Sequence, residues 1–251
     1  MCFEWLGRRG IFCTFLITVF VVSCSVKEDR RDCPCLLAVK LSDLPPGPVE
    51  YRLEGMDGSL LARGAAARDS VLYFKVPRDG VRLTAVSGCP MADKVQIPYG
   101  AQCPPVYLYS GVVSTDYESV LVEPHLRKHF CRLYLVLDGP PGDGKPITVM
   151  VRGTVNGIGL DGRPSAGEFN CPVGDSCLLP RQAQADILLL DIVMEDQVVR
   201  TFSLGKYMRD AGYDWTETDL SDITLTVSLS VTHISFHIQD WSHTLSMNVE
   251  I

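Results

Sequence analysis

Basic charge is in short supply in this 251-residue chain: 23 Lys and Arg stand against 30 Asp and Glu, a formal net charge of −7. An acidic surface of this kind argues against nucleic acid and anionic membrane surfaces as partners. Long apolar runs are also missing. The stretch Ile11 to Val22 covers about 12 residues, short against the roughly 20 that a bilayer crossing needs. No GxSxG elbow and no paired acidic motif marks a nucleophile or an acid/base pair, so no enzymatic activity and no cofactor are expected. Long helical periodicity is absent too, which disfavours an α/β sheet.

Two phosphate-binding patterns occur in letters but lack their setting. Gly139-Pro140-Pro141-Gly142-Asp143-Gly144-Lys145-Pro146 fits P-loop spacing until Pro146 replaces the magnesium-binding hydroxyl, and the residues that follow read as a strand. Gly157-Ile158-Gly159-Leu160-Asp161-Gly162 spells a dinucleotide fingerprint, but Pro164 and Gly167 leave no room for a crossover helix, so it reads as a loop. His233 and His237 sit four residues apart on a strand and span roughly 13 Å, beyond the bite of one metal ion. His125 and His129, with Glu123 nearby, form only a weak ligand set, and no metal site is predicted.

The N-terminus does carry a pattern. Arg8 and Arg9 precede the apolar run, and Val21-Val22-Ser23-Cys24 resembles the lipobox of bacterial lipoproteins. Residues 1–23 are therefore expected to be a signal peptide and Cys24 an acylated N-terminus. Lys27, Glu28 and Asp29 resemble the surface-export signal of Bacteroidetes lipoproteins, within a tether spanning 24–35. After cleavage the charge balance becomes 21 basic against 29 acidic residues.

Seven of the ten cysteines lie beyond Cys24, and an oxidising compartment favours disulfides among them. Cys171 and Cys177 bracket a turn-like Pro172 to Ser176. Cys89 and Cys103 bracket a loop with Pro90, Pro98 and Gly100. These are the favoured local pairings, although spacing alone does not fix connectivity. Cys33 and Cys35 are expected to tie the tether to the folded body.

From Leu36 onward, strand-like runs follow at 51–53, 71–76, 81–86, 106–109 and 119–122, then from Cys131, at 147–151, 187–194, 223–231, 234–238 and 245–251. One helix is predicted over Leu204 to Ala211, with Ser203 as N-cap and Gly212 as the stop. Short strands with Gly and Pro turns indicate antiparallel β-sandwiches. The length suits two domains, divided as 36–124 and 125–251.

Taken together, these features resemble the FimB-like anchor subunits of Bacteroidetes type V fimbriae. The resemblance rests on Cys24 through Pro34, on Gly212-Tyr213-Asp214-Trp215, on Asp219 to Ile223, and on Gln239-Asp240-Trp241. It implies two transthyretin-like antiparallel β-sandwich domains in an all-β chain. It also implies a lipid-anchored, surface-exposed outer-membrane protein of the fimbrium that holds a shaft subunit by β-strand pairing. An anchor that lost residues after Cys24 would lose its lipid, so the first strand, near Leu36 to Leu41, is expected to stay in place. Leu245 to Ile251 is the candidate donor or edge strand. A surface glycan-binding lipoprotein of a nutrient-uptake system, or a tip adhesive subunit, would share most of these features. Exposed aromatic rings would favour the glycan-binding reading, since sugar sites stack rings, with Trp215 and Trp241 as the candidates to inspect.

Overall fold

The computed structural model describes residues 33–42, 47–138, 147–183, 185–229, 233–239 and 244–250, the last two segments by backbone pairing alone. The chain from Cys35 onward clusters as one compact unit. Cys24, Lys27, Glu28, Asp29, the 139–146 turn and Trp241 fall outside the described residues.

The fold is all β with one short helix. The first half contains β1 (Cys35–Lys40), β2 (Val49–Gly55), β3 (Leu60–Ala66), β4 (Val71–Val76), β5 (Val81–Ser87), β6 (Lys94–Gln96), β7 (Tyr107–Val113) and β8 (Ser119–Val122). The second contains β9 (Arg127–Lys128), β10 (Phe130–Asp138), β11 (Ile147–Gly159), β12 (Pro164–Val173), β13 (Ser176–Pro180), β14 (Leu188–Met194), β15 (Gln197–Phe202), α1 (Leu204–Asp210), β16 (Ile223–Leu229), β17 (His233–Gln239) and β18 (Thr244–Glu250).

These strands form four sheets. The first half builds β4-β1-β8 and β3-β2-β5-β7-β9, and the second builds β13-β10-β16-β17-β18 and β12-β11-β14-β15. Pairing is antiparallel except for β1 with β8 and β10 with β16, which run parallel. Two short strands cross between the sets: β6 pairs with the far end of β11, and β9 pairs with β7. The expected division between Pro124 and His125 falls just before β9.

Alternation of side chains explains where the cores sit. In β1, Cys35, Leu37 and Val39 are buried while Leu36 and Lys40 are exposed, as a strand with one wet face requires. They meet Val49 and Leu53 of β2 and Val81, Leu83 and Ala85 of β5 in one apolar cluster. A larger cluster gathers Leu133, Val149, Val151, Phe169, Leu190 and Trp215 in the second half. Fully burying each Leu or Val contributes about 1.5–3 kcal/mol.

Several sequence expectations shift here. β1 opens at Cys35 rather than Leu36, and Cys35 is fully buried, part of the fold rather than of a tether. The stretch Gly157 to Gly162 is not all loop: β11 continues through Gly159, and Leu160 to Gly162 make the turn into β12. Pairing with β12 and β6 overrides the weak strand propensity of these glycines. α1 has Ser203 at its N-cap position, but the hydroxyl makes no capping bond. The helix ends as expected. Gly212 adopts φ +86°, its N–H donates to the Arg209 carbonyl, and the Tyr213 N–H donates to the Met208 carbonyl, closing a Schellman motif.

Candidate functional site: a strand edge and a polar seam

β18 is the outermost strand of its sheet, and it pairs with β17 along all seven of its residues, from Glu250 opposite His233 to Thr244 opposite Gln239. Among the described residues, its other side has no paired strand. An edge of this length presents a row of main-chain donors and acceptors that another chain could complete. β1 is the opposite case. It lies between β4 and β8, with six residues in register with one and four with the other. Extracting it would split the sheet and uncover Leu37, Val39 and Leu41, which are at most 1% exposed.

The residues Gly212 to Ile223 form a connection locked against the start of β10. The ring of Tyr213 meets Trp215 edge-on, with 4.8 Å between centroids, and its hydroxyl donates to the Ser221 carbonyl at 2.8 Å. Trp215 is 3% exposed, so it packs the core and presents no ring to a ligand. Asp219 accepts from the Lys128 N–H at 2.8 Å and pairs with His125 Nε2 at 3.0 Å. Asp222 accepts from Lys128 Nζ at 2.6 Å and from the Arg132 N–H at 2.8 Å. The acidic residues of this motif thus hold the fold together.

Sequence reasoning missed Arg181, the centre of this seam. It is 8% exposed, and its guanidinium donates to the carbonyls of Trp215, Glu217, Lys128 and Thr218. Burial lowers its pKa from the ordinary arginine value, opposed in part by Asp219 and Asp214. No local signal could have found it, because its acceptors come from segments distant in sequence.

His125 and His129 are not brought together as ligands. His125 sits at the surface on Asp219, whereas His129 is 5% exposed and its Nδ1 has no partner. Burial, reinforced by the Arg181 and Arg127 charges, lowers its pKa to about 4. It therefore lines a cavity of about 290 Å³ as a neutral ring.

All seven described cysteines are free thiols. Cys171 Sγ donates to the Pro172 carbonyl at 3.3 Å, and the proximity of the Cys171 and Cys177 thiols lowers the pKa of Cys171 and raises that of Cys177. They face each other because β12 and β13 belong to opposing sheets joined by a tight turn at Gly174-Asp175. Cys103 and Cys131 share the same core, where burial raises both pKa values, that of Cys131 to about 12. Cys89 is half-buried, and burial raises its pKa as well.

No protein-family profile and no curated protein matches the chain. Solved structures do match. A candidate adhesin from Bacteroides ovatus shares 12% identity at a TM-score of 0.65, covering 84% of this chain and 95% of that one. The fimbrial anchor protein Mfa2 from Porphyromonas gingivalis shares 11% identity at a TM-score of 0.58, covering 85% of this chain and all of that one, 100%. A candidate polysaccharide-binding protein from Bacteroides thetaiotaomicron shares 11% identity at a TM-score of 0.62, covering 85% and 98%. The chain has the all-β fold of these Bacteroidetes anchor and adhesin-type proteins.

Proposed function

We propose that this protein is a non-enzymatic lipoprotein of the outer membrane that anchors a fimbrial shaft at the cell surface. In this reading Cys24 carries the acyl chains, Lys27, Glu28 and Asp29 direct export to the outer face, and the residues up to Pro34 hold two sandwich domains, meeting near 124/125, off the membrane. The observation that carries it is the contrast between the two strands at the ends of the fold. β1 is enclosed between two neighbours, as a subunit that keeps its N-terminal lipid requires, while β18 offers an edge with no paired strand among the described residues. Strand addition at such an edge combines a ladder of main-chain hydrogen bonds with alternate side-chain contacts, which gives strong attachment without chemistry. Likeness in fold to the Mfa2 anchor supports the reading.

Export to an oxidising compartment also has a consequence for the thiols. Cys171 and Cys177 lose two protons and two electrons to a thiol–disulfide oxidoreductase and close into a disulfide that staples β12 to β13.

Replacing Cys24 with alanine tests the lipid anchor. Each buried CH₂ of an acyl chain contributes about 0.8 kcal/mol to membrane binding, and one cysteine carries them all. The variant should leave the detergent phase on partitioning. Retention there, with continued labelling by a palmitate analogue, would overturn the reading. Alanine at Lys27, Glu28 and Asp29 together should preserve lipidation and abolish protease accessibility on whole cells; unchanged surface digestion would remove the export role.

A further inference from the structure

The outer face of the β12-β11-β14-β15 sheet carries polar groups that neither the anchor reading nor the core requires. Strand register places Asn170, Arg152 and Leu189 side by side across β12, β11 and β14. Farther along β11, the Thr154 N–H donates to the Ile187 carbonyl at 3.1 Å, and its hydroxyl accepts from the Ile187 N–H at 3.2 Å. These residues and Glu168 line a hollow of about 390 Å³. A neighbouring hollow of about 600 Å³, lined by Gln96, Pro98 and Asn156, shares Tyr99 and Glu168 with the first.

Tyr99 stands between the two hollows with 72% of its surface exposed, yet it is held in place. Its hydroxyl accepts from Asn170 Nδ2 at 2.8 Å. The loop that carries it is pinned on both sides, by the Ile97 N–H to the Asn156 carbonyl at 2.7 Å and by the Gly100 N–H to the Asn170 carbonyl at 3.0 Å. An exposed ring fixed at its polar tip offers a pre-set apolar face at low entropy cost.

The amides beside it are unfinished. The Oδ1 atoms of Asn156 and Asn170 are shielded from solvent and have no hydrogen-bond partner. Leaving such acceptors unpaired costs about 1–3 kcal/mol each, so a ligand that supplies donors recovers that loss. Asn156 is held close over Gly167, where a Cβ would fall 2.1 Å from its Oδ1. Glycine is the residue that lets the amide lie there.

The chemistry of the walls selects the ligand. Arg152 Nε is engaged by Asp191 at 2.5 Å, and Asp191 also accepts from the Thr201 hydroxyl at 2.6 Å, so this guanidinium is committed to an internal carboxylate. Glu168 adds a negative charge, which disfavours anionic ligands. The β11 main chain in the first hollow is already paired on both sides, with β12 and β14, which leaves no ladder for a peptide strand. What remains is a ring face beside hydroxyl-accepting amides and a carboxylate. A pyranose offers the complement, C–H groups on one face and hydroxyls that both donate and accept around its rim.

We propose that this cleft binds a neutral oligosaccharide, with Tyr99 as the stacking platform and Asn156 and Asn170 as acceptors for sugar hydroxyls. The site does not depend on the anchor role. It is tested by isothermal titration calorimetry and saturation-transfer NMR on the full-length chain in detergent micelles, with maltohexaose, cellohexaose, mannohexaose and chitohexaose at millimolar concentration. At least one of these should bind saturably, and Tyr99→Ala should weaken that binding by about tenfold. Asn170→Ala should act in the same direction, and Tyr73→Ala, at another exposed tyrosine in the first half, should leave it unchanged. Should Tyr99→Ala fail to fold by circular dichroism, Asn170→Ala and Glu168→Ala read the same cleft. Absence of saturable binding to every hexasaccharide, or equal binding by the cleft variants and wild type, would overturn the proposal.

Discussion

In the first half of the molecule β1 lies between β4 and β8, while β3, β2, β5 and β7 line up in the facing sheet. In the second half β10 lies between β13 and β16, while β12, β11, β14 and β15 line up in the same way. Even the exceptional parallel pair recurs at the same place, β1 with β8 and β10 with β16. The halves then diverge. The first sheet stops at β8, whereas the second continues past β16 into β17 and β18. One strand path thus folds twice, and the second copy adds the β17–β18 hairpin. That hairpin is where the proposed subunit contact lies.

The largest effect should come from the strand both halves place at the centre. Leu37→Ala in β1 removes a fully buried side chain and should cost about 3 kcal/mol, with Leu133→Ala in β10 similar, measured by chemical denaturation. Leu121→Ala at the β8 edge, 62% exposed, should stay within about 0.5 kcal/mol. Equal costs at Leu37 and Leu121 would deny β1 its central place, and clearly unequal costs at Leu37 and Leu133 would break the equivalence of the two central strands.

Arg181 sharpens the comparison, because the second half needs a buried cation to hold its long β15 to β16 connection. Arg181→Met strips donors from four buried or half-buried carbonyls and should destabilise by about 3 kcal/mol. The loss should appear first as hydrogen exchange in residues 213–222. Protection there equal to wild type would assign the connection to Tyr213 and Trp215 instead.

His129 predicts a pH dependence. Its pKa falls from 6.5 in the unfolded chain to about 4 in the fold, so the unfolded state binds the extra proton. The stability this neutral ring contributes is complete above about pH 6.5 and is lost as pH drops toward about 4, by up to about 3 kcal/mol. His129→Gln should flatten that part of the stability profile; an unchanged slope would place the titration elsewhere.

The thiol pair should have a smaller effect. Closing the short loop from Cys171 to Cys177 gains about 2 kcal/mol in the chain-entropy treatment. Reduction of protein recovered from the cell envelope should lower the denaturation midpoint accordingly, and peptide mapping should find Cys171 joined to Cys177. A free Cys171 in that material would contradict the staple.

Much of this architecture was legible where one face is wet and the other dry. The strand-like runs Val71 to Val76 and Ser119 to Val122 coincide with β4 and β8, and the last alternating run, from Leu245, lies in the edge strand β18. β3 and β12 were invisible, the first because LLARGAA is half-exposed on both faces, the second because Pro164, Gly167 and Pro172 suppress the strand signal that pairing with β11 supplies. Arg181 and Tyr99 could not be read either. Their partners lie tens of residues away in sequence, and only the fold brings these side chains to them.

The account rests most directly on β18 as the shaft-facing edge. Deleting residues 244–251 in the cell, then fractionating fimbriae between cells and medium while following the folding of the purified variant, decides it. The account predicts a folded lipoprotein that stays on the cell while fimbriae detach into the medium. A folded variant with fully attached fimbriae, or a variant that unfolds and is degraded because the strand is part of the core, would contradict it.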